Sequence, residues 1–365
     1  MFSFRTTAIG EQLDKALLEG KLACFCTQNC WDTASGKYLY DIFRERGNLV
    51  RVFTPEDAEL SPNTNHIRFS IDEIRDLNAI VVEIQDVGSR YFNYTRDVLR
   101  LMTMVNQLDN ERASSSDEYA TIPSVYIVDH VNPAGRTVEG TMPLSGNDPS
   151  MPRVPHRHGL TLGELCHVFY SDMGARFPLH IISARATEAN RLLMPWTIAP
   201  ASDIPGMFTC QMYSGGGLWN STSINPGIGT ARPYEYLGAP FIKASADVSL
   251  PLPEGVLMRP CSFRPATGKY QGERCSGYQI ILEPGAEYHS LLHTVRLMRH
   301  FAETYSEFTF EEGFFDKLAD PVIAEYLKGN ITFDIVQEHV KLEEQKWIRK
   351  AKRYTLYEEQ PFRIK

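Results

Sequence analysis

Residues 80–94, Ile-Val-Val-Glu-Ile-Gln-Asp-Val-Gly-Ser-Arg-Tyr-Phe-Asn-Tyr, decide the fold of this chain. An apolar, β-branched run stops at Gln85 and Asp86, and apolar residues at helical spacing follow from Val98 onward. This order predicts a strand, a turn and a helix. In a parallel sheet covered by helices, ligands bind where strands end and helices begin, so the turn is expected at the rim of a site. The polar and aromatic side chains that the turn carries are those of Asp86, Arg90, Tyr91 and Tyr94.

A structural interpretation of the same stretch stays open. Asp86 would cap the turn, Arg90 would pair with it, and the two tyrosines would belong to the core. This stretch taken alone does not decide between a functional and a structural role.

The surrounding segments repeat the alternation of strand and helix. Further strands are predicted at 22–26, 49–53 and 124–128, and helices at 9–18 and 37–46. Such alternation is typical of parallel βαβ units, so we predict an α/β sheet. Three consecutive strands are followed by polar residues that would meet at one sheet edge. They are Glu56, then Asp86 and Arg90, then Asp129 and Asn132.

A second candidate segment precedes the next helix. Thr161 and Glu164 have the spacing of a capping box, which places Arg157 and His158 just before a helix N-terminus. An arginine next to a helix start favours binding of an anionic or hydroxyl-bearing group. The alternative is that His158 is an ordinary polar loop residue.

Length and composition indicate two folded domains. A chain of 365 residues with 43% hydrophobic residues has ample material for two cores. After the Pro-rich residues 250–253 the pattern changes to short strands, a helix near 286–303 and a charged helical segment at 341–353. We therefore expect a parallel-sheet domain over residues 1–240 and a smaller α+β domain over residues 241–365.

Charge and hydropathy exclude several classes of partner. The formal net charge is −8 and no block of Lys and Arg occurs, so nucleic acid is not an expected partner. No run approaches the 18 or more apolar residues of a membrane helix, so no membrane contact is expected either. As written, the chain is expected in the cytoplasm, while a trimmed signal peptide and a periplasmic location stay open. The oligomeric state is not predicted.

No metal or other cofactor is expected. The seven cysteines are scattered and odd in number, which favours reduced thiols, and Cys24 and Cys26 alternate along a strand as buried small residues do. His289 and His293 have helical spacing that a metal site can use, but apolar neighbours indicate packing there.

Several strings, taken together, resemble the exo-β-N-acetylmuramidase family, long catalogued as a domain of unknown function. The resemblance covers nearly the whole length. The matching strings are Asp-Val-Gly-x-Arg-x-x-x-Tyr at 86–94, Asp-x-x-Asn-Pro-x-Gly at 129–135, Val-Glu-Gly at 138–140, Arg-His-Gly-x-Thr-x-Gly-Glu-Leu at 157–165, Arg-Pro-Tyr-Glu at 232–235 and Phe-Asp-Lys-Leu-Ala at 315–319.

The resemblance implies a Rossmann-like domain, a C-terminal domain and a site in the cleft between them. It also implies removal of terminal N-acetylmuramic acid from peptidoglycan fragments, so the expected partner is a small glycan or muropeptide. The glutamate of the family's Pro-Glu-His-Gly motif aligns with Glu56, which becomes the candidate general acid, and Glu139 or Asp86 becomes its ionised partner. The substrate-binding candidates are Arg90, Tyr91, Tyr94, Asn132, Arg157, His158, Asn220 and Arg232.

The chain departs from the family pattern near the same cleft. The His-Gly after Glu56 is replaced, and 220–223 and 225–230 stand where the family has Glu-Gly-Thr-Asn and Ser-Glu-Gly-Arg-Gly-Thr. Two alternatives to the hydrolase therefore stay open. One is a muropeptide- or sugar-binding protein without turnover, and the other is a glycosidase that acts on a different amino sugar.

Overall fold

The structure, a computed structural model, describes residues 20–32, 36–55, 69–114, 121–144, 151–183, 198–245, 252–357 and 363–364. The helix predicted at 9–18 and the candidate acid Glu56 lie outside the described residues. The described strands are β1 (Leu22–Cys26), β2 (Trp31–Asp32), β3 (Lys37–Tyr38), β4 (Leu49–Phe53), β5 (Ala79–Glu83), β6 (Ser124–Asp129), β7 (Thr137–Val138), β8 (Leu179–Ser183), β9 (Tyr236–Ala239), β10 (Val256–Phe263), β11 (Cys275–Leu282) and β12 (Arg363–Ile364). The described α-helices are α1 (Leu39–Arg46), α2 (Ile71–Ile74), α3 (Asn93–Ser114), α4 (Leu162–Asp172), α5 (Met207–Gly216), α6 (Ser290–Thr304), α7 (Phe314–Leu318), α8 (Pro321–Lys328) and α9 (Phe333–Ala351).

Five parallel strands form the main sheet, in the order β4, β1, β5, β6, β8. The strand predicted at 80–84 is β5, and its two neighbours in the sheet, β1 and β6, were predicted as well. Helices connect the strands and pack against the sheet, so the α/β class is confirmed. The carboxyl ends of β5 and β6 lie side by side, because Val82 is in register with Ile127.

Alternation along each strand divides the core between the two faces of the sheet. Phe25 and Val82 belong to the larger apolar cluster, which contains residues of α3 and α4, whereas Cys24 and Val81 belong to a smaller cluster with residues of α1. Burial of each large apolar side chain contributes about 1.5–3 kcal/mol. All seven cysteines are free thiols, and burial raises the pKa of the Cys24 thiol well above its ordinary value.

Helix boundaries follow local capping chemistry. At the start of α4, the Thr161 hydroxyl accepts a hydrogen bond from the Glu164 N–H, and the Glu164 side chain accepts one from the Thr161 N–H, as the predicted capping box requires. The final helix α9 begins at Phe333 rather than near 341. Buried Val336 and Val340 continue its apolar face towards the N-terminus, beyond the charged segment from which the helix was predicted.

A separate antiparallel sheet of three strands, in the order β10, β11, β9, forms the smaller unit together with α5 to α9. One of its strands, β9, ends at Ala239, so this sheet includes residues that precede position 240. Helices α5 and α6 pack closely, and a Cβ atom on Gly215 would stand 2.3 Å from the Leu291 nitrogen, which only glycine avoids. None of the described helices combines the length and the apolar character of a membrane span.

Candidate functional site

The turn after β5 is built around Asp86. One carboxylate oxygen accepts a hydrogen bond from the Thr95 hydroxyl at 2.5 Å, and the other accepts one from the Gly88 N–H at 2.8 Å. Gly88 has φ +80°, and a Cβ atom there would stand 2.5 Å from the Asn132 side-chain oxygen. The turn therefore requires glycine at position 88 and an acceptor at position 86.

His158 lies beside the same carboxylate. Its Nε2 lies 3.3 Å from Asp86 Oδ2, and its Nδ1 accepts a hydrogen bond from the Leu160 N–H. Burial alone would raise the pKa of Asp86, but the His158 and Thr95 contacts outweigh burial and hold this pKa below its ordinary value. The backbone oxygen of His158 accepts a hydrogen bond from the Trp347 indole N–H at 2.9 Å, which links the turn to α9.

Glu139 forms a buried ion pair with Arg157, the residue that precedes His158. Arg157 Nη1 donates to Glu139 Oε1 at 2.8 Å, while the Ser290 N–H and hydroxyl donate to Oε2 at 2.9 and 2.5 Å. Burial would raise the pKa of Glu139, yet Arg157, His289 and Ser290 lower it overall. The carboxylate is fully buried, and its two oxygens are occupied by protein donors.

Two further predicted residues are part of this interior. Asn132 is buried, donates to the Leu160 carbonyl at 2.9 Å and accepts from the Ala134 N–H at 2.9 Å, so its amide shapes the loop. Tyr94 is buried, and its ring lies 4.6 Å from that of Phe92, centroid to centroid. Of the residues predicted from strand ends, Asp86 and Asn132 lie in one buried network rather than on an open surface, whereas Glu56 lies outside the described residues.

An open cleft of about 400 Å³ lies next to this network. The segment between β5 and α3 contributes Arg90 and Tyr91, the first turn of α3 contributes Arg96, and α7 contributes Asp316 and Lys317. Both halves of the chain therefore form the cleft.

Arg90 and Tyr91 connect the buried network to the cleft. Arg90 is almost fully buried, and its guanidinium donates to the Thr141 and Leu318 carbonyls at 2.9 and 3.0 Å and to the Tyr91 hydroxyl at 3.2 Å. The Tyr91 backbone oxygen accepts from the Tyr213 hydroxyl at 3.0 Å. These contacts fix two aromatic rings and a buried cation at the cleft.

Asn220 also lines the cleft and borders a second cavity of about 200 Å³. Its side chain donates to the Tyr234 hydroxyl at 3.0 Å. Arg232, by contrast, is a surface residue that pairs with Glu235 at 3.1 Å and is not among the lining residues of either cavity. Of the predicted binding residues, Arg90, Tyr91 and Asn220 line the cleft.

Sequence reasoning missed Arg96, Asp316 and Lys317. Asp316 and Lys317 lie inside the Phe-Asp-Lys-Leu-Ala string at 315–319. That string contributed to the family resemblance, but no functional role was predicted for its two charged residues. Arg96 is the second residue after the deciding stretch and lies in the first turn of α3. Burial lowers the pKa of Lys317 to about 8, and the nearby cations Lys269 and Arg96 act in the same direction.

No cluster of three or more His, Cys, Asp and Glu side chains suited to a metal ion occurs in the part of the chain that the structure describes. The histidine pair on α6 has other contacts. His289 Nε2 lies 2.8 Å from Glu344 Oε1, and His293 Nδ1 lies 3.2 Å from the Tyr288 hydroxyl.

Two protein-family models match this chain. Residues 63–202 match the family model "Exo-beta-N-acetylmuramidase NamZ, N-terminal", and residues 211–357 match "Exo-beta-N-acetylmuramidase NamZ, C-terminal". The chain belongs to the NamZ family. The two NamZ family models meet between residues 202 and 211, and Arg90, Tyr91 and Arg96 fall in the first whereas Asp316 and Lys317 fall in the second. The cleft therefore lies between the two parts of a NamZ protein.

Individual relatives agree with this assignment. The chain is similar to the peptidoglycan β-N-acetylmuramidase NamZ of Bacillus subtilis (strain 168), with 27% identity over 299 residues, covering 78% of this chain and 68% of that protein. Two crystal structures of DUF1343 family proteins from Bacteroides fragilis NCTC 9343 share its fold. Their TM-scores are 0.76 and 0.74 at 19% and 20% identity, over 96% and 98% of this chain and 97% and 98% of theirs.

Proposed function

We propose that this NamZ family protein is a glycoside hydrolase that releases terminal N-acetylmuramic acid from peptidoglycan fragments. The observation that carries the proposal is the open cleft of about 400 Å³ between the two family domains, with the tyrosine rings of Tyr91 and Tyr213 and charged side chains in its lining. A cleft of this size falls within the range of about 300–1,000 Å³ typical of small-ligand sites. Its ligand would be a small glycan or muropeptide.

Hydrolysis of a glycosidic bond ordinarily needs two carboxyl groups. Asp86 and Glu139 are buried, occupied by protein donors and absent from the lining of the cleft. We assign them a positioning role, in which they hold the turn after β5 and the loop around Arg157. Both lowered pKa values keep these carboxylates ionised, which suits a permanent structural charge and not a proton donor.

The reacting pair would then be Glu56 and Asp316. Glu56 comes three residues after the last residue of β4 in the sequence, and the resemblance implies that it is the general acid. Asp316 is exposed and lines the cleft, so its carboxylate is available to a bound sugar. In this assignment Glu56 protonates the leaving oxygen, and Asp316 supplies the ionised carboxylate that attacks or activates water.

The remaining lining residues would orient the sugar. Tyr91 and Tyr213 line the cleft and would pack against the apolar parts of a pyranose, and the Asn220 amide at the junction of the two cavities would form hydrogen bonds with its hydroxyl groups. The smaller cavity beyond Asn220 would accept the neighbouring sugar of the glycan.

Incubation with a chromogenic β-N-acetylmuramide and the matching β-glucosaminide, beside the Glu56→Gln variant, tests this proposal. Release from the muramide that disappears in the variant is the expected result. Full activity of Glu56→Gln would remove Glu56 from the mechanism.

One observation favours a second candidate, a muropeptide-binding protein without turnover. Arg157 neutralises the buried carboxylate of Glu139, and that of Asp86 accepts hydrogen bonds from Thr95 and Gly88, so catalysis depends on groups outside this network. Binding of a muramic acid ligand without release from either substrate would identify this function. Release from the glucosaminide alone would instead indicate a glycosidase that acts on another amino sugar.

A further inference from the structure

The cations of the cleft differ from those elsewhere in the interior. Buried Arg136 pairs with Glu164, and buried Arg157 pairs with Glu139. By contrast, no ion pair with a carboxylate of the described residues is formed by Arg90, Arg96 or Lys317. A buried or half-buried cation without a counter-ion is unfavourable, and a bound anion offsets that cost.

Arg90 supplies fixed positive charge at the cleft. Its guanidinium contacts are neutral groups, namely two carbonyls, the Tyr91 hydroxyl and the His156 ring. The Arg90 Nε is buried and has no hydrogen-bond partner among the described residues. The two terminal nitrogens of Arg90 already form hydrogen bonds within the protein. Arg90 therefore attracts an anion through its charge, and other side chains of the cleft form the hydrogen bonds to that anion.

Arg96 is one of those neighbours. It lies in the first turn of the 22-residue helix α3, and its Nε also lacks a hydrogen-bond partner in the described part of the chain. The positive end of the helix dipole adds to the guanidinium charge there, and that turn contains no acidic residue. A planar guanidinium suits a carboxylate in a bidentate arrangement.

Lys317 provides the second contact. Its Nζ donates to the Gly217 carbonyl at 3.0 Å and lies 3.4 Å from the Ser221 hydroxyl, so an ammonium with three protons keeps donor capacity for a ligand. Nearby Lys269 is different, because Glu311 neutralises it at 2.6 Å. The Lys317 ammonium also lies 5.4 Å from the centroid of the Tyr91 ring, which places cation and ring beside the same ligand.

We propose that Arg96 and Lys317 form a carboxylate-binding subsite that selects a sugar carrying a carboxylate over its neutral counterpart. Within the proposed function, on which this inference rests, the bound group is the lactyl carboxylate that distinguishes N-acetylmuramic acid from N-acetylglucosamine. The cleft is lined by three basic side chains and by a single carboxylate, that of Asp316, so its lining is positive. The rings of Tyr91 and Tyr213 would contact the sugar itself. Selectivity thus resides in residues that sequence reasoning did not select, and not in Arg157, His158 or Arg232.

Equilibrium binding of the free sugars, measured by calorimetry without any turnover, tests the subsite. The probes are N-acetylmuramic acid, N-acetylglucosamine, its 6-phosphate and inorganic phosphate. Arg96→Gln and Lys317→Met are each expected to weaken N-acetylmuramic acid binding by about 10- to 100-fold, the size of a lost charged hydrogen bond, and to leave N-acetylglucosamine binding unchanged.

Matched controls come from exposed cations outside the cleft. Arg100→Gln on the same helix and Lys352→Gln at the end of α9 should bind both sugars as the wild type does. Lys317→Arg should restore most of the lost affinity, since it keeps the charge. Thermal melting of each variant verifies that the fold is retained.

The outcomes separate this inference from the proposed hydrolysis. Loss of N-acetylmuramic acid selectivity in both variants supports the subsite even if no substrate is ever cleaved. Hydrolysis of the muramide with undiminished binding in both variants would overturn the subsite while the hydrolase stands. Equal losses for both sugars, or tighter binding of the phosphorylated sugar or of inorganic phosphate than of N-acetylmuramic acid, would also overturn it.

Discussion

Glu139 and Ser290 are joined by two hydrogen bonds, 2.9 Å from the serine N–H and 2.5 Å from its hydroxyl, across 151 residues of sequence. The glutamate follows β7 in the N-terminal family domain, and the serine opens α6 in the C-terminal one. The same hydroxyl accepts a hydrogen bond from the Gly215 N–H at 2.9 Å. A carboxylate at this position therefore ties together the two domains that form the cleft.

Replacement of Glu139 by glutamine should destabilise the protein. Arg157 would keep its buried charge without a counter-ion, which typically costs about 3–5 kcal/mol of the free energy of unfolding. Denaturant unfolding followed by circular dichroism measures the change. Exposed Glu45, which pairs with Lys37, provides the control, because Glu45→Gln should cost less than about 1 kcal/mol.

If Glu139→Gln does not fold, Ser290→Ala gives a milder test of the same contact. It removes one donor to the carboxylate and should cost about 1.5–3 kcal/mol. A Glu139→Gln variant with wild-type stability and no hydrolysis would contradict the positioning role and favour direct participation in catalysis.

His289 should make stability depend on pH. Burial alone would lower its pKa, but Glu139 and Glu344 outweigh burial and raise the pKa above the ordinary value of 6.5. The folded state therefore binds the proton more tightly than the unfolded state. The resulting stabilisation is fully present below pH about 6.5 and is lost as pH rises through the folded pKa.

Melting temperatures of wild type and His289→Gln between pH 5.5 and 9 measure this contribution. The wild-type advantage should shrink with rising pH. Asp320 also raises the pKa of His339, so His339 makes the stability of both proteins fall with rising pH. The contribution of His289 is therefore given by the difference between the two melting curves and not by the slope of either curve. A difference that is constant across the range would contradict the prediction.

Much of the fold could be predicted because its signals are local. The apolar run before Asp86 indicated β5, and Thr161 with Glu164 indicated the start of α4, since strand period and capping both depend on residues close in sequence. Convergence of Asp86 and Asn132 near one sheet edge followed from parallel topology alone.

Burial and charge pairing could not be predicted in the same way. Whether a polar residue at a strand end faces a ligand depends on partners far along the chain, such as Ser290 for Glu139 and Trp347 for the His158 carbonyl. Lys317 shows the converse. Its position beside Tyr91, 226 residues away in sequence, exists only in the folded chain.

The Asp316→Asn variant should distinguish a carboxylate that contacts the sugar from Asp86 and Glu139, which only hold the neighbouring loops in place. If Asp316 supplies the ionised carboxylate, the variant should hydrolyse the muramide about 10²–10⁴ times more slowly, while sugar binding persists. Initial rates and calorimetric affinities measured on the same preparation test this. Exposed Asp334, at the start of α9 and outside the cleft, offers Asp334→Asn as the control. Full turnover by Asp316→Asn would mean that the partner of Glu56 lies elsewhere.

The affinity for N-acetylmuramic acid should fall as pH rises from 7 to 9. Burial, Lys269 and Arg96 lower the pKa of Lys317 to about 8 against the opposing charge of Glu311, so the free protein loses this positive charge within that range. Only the ammonium attracts a carboxylate, whereas the neutral amine does not. Calorimetry across the range should show the decline for N-acetylmuramic acid and a flat profile for N-acetylglucosamine. Lys317→Arg should abolish the decline, because a guanidinium stays charged throughout, and a wild-type profile as flat as that of the variant would show that Lys317 does not hold the carboxylate.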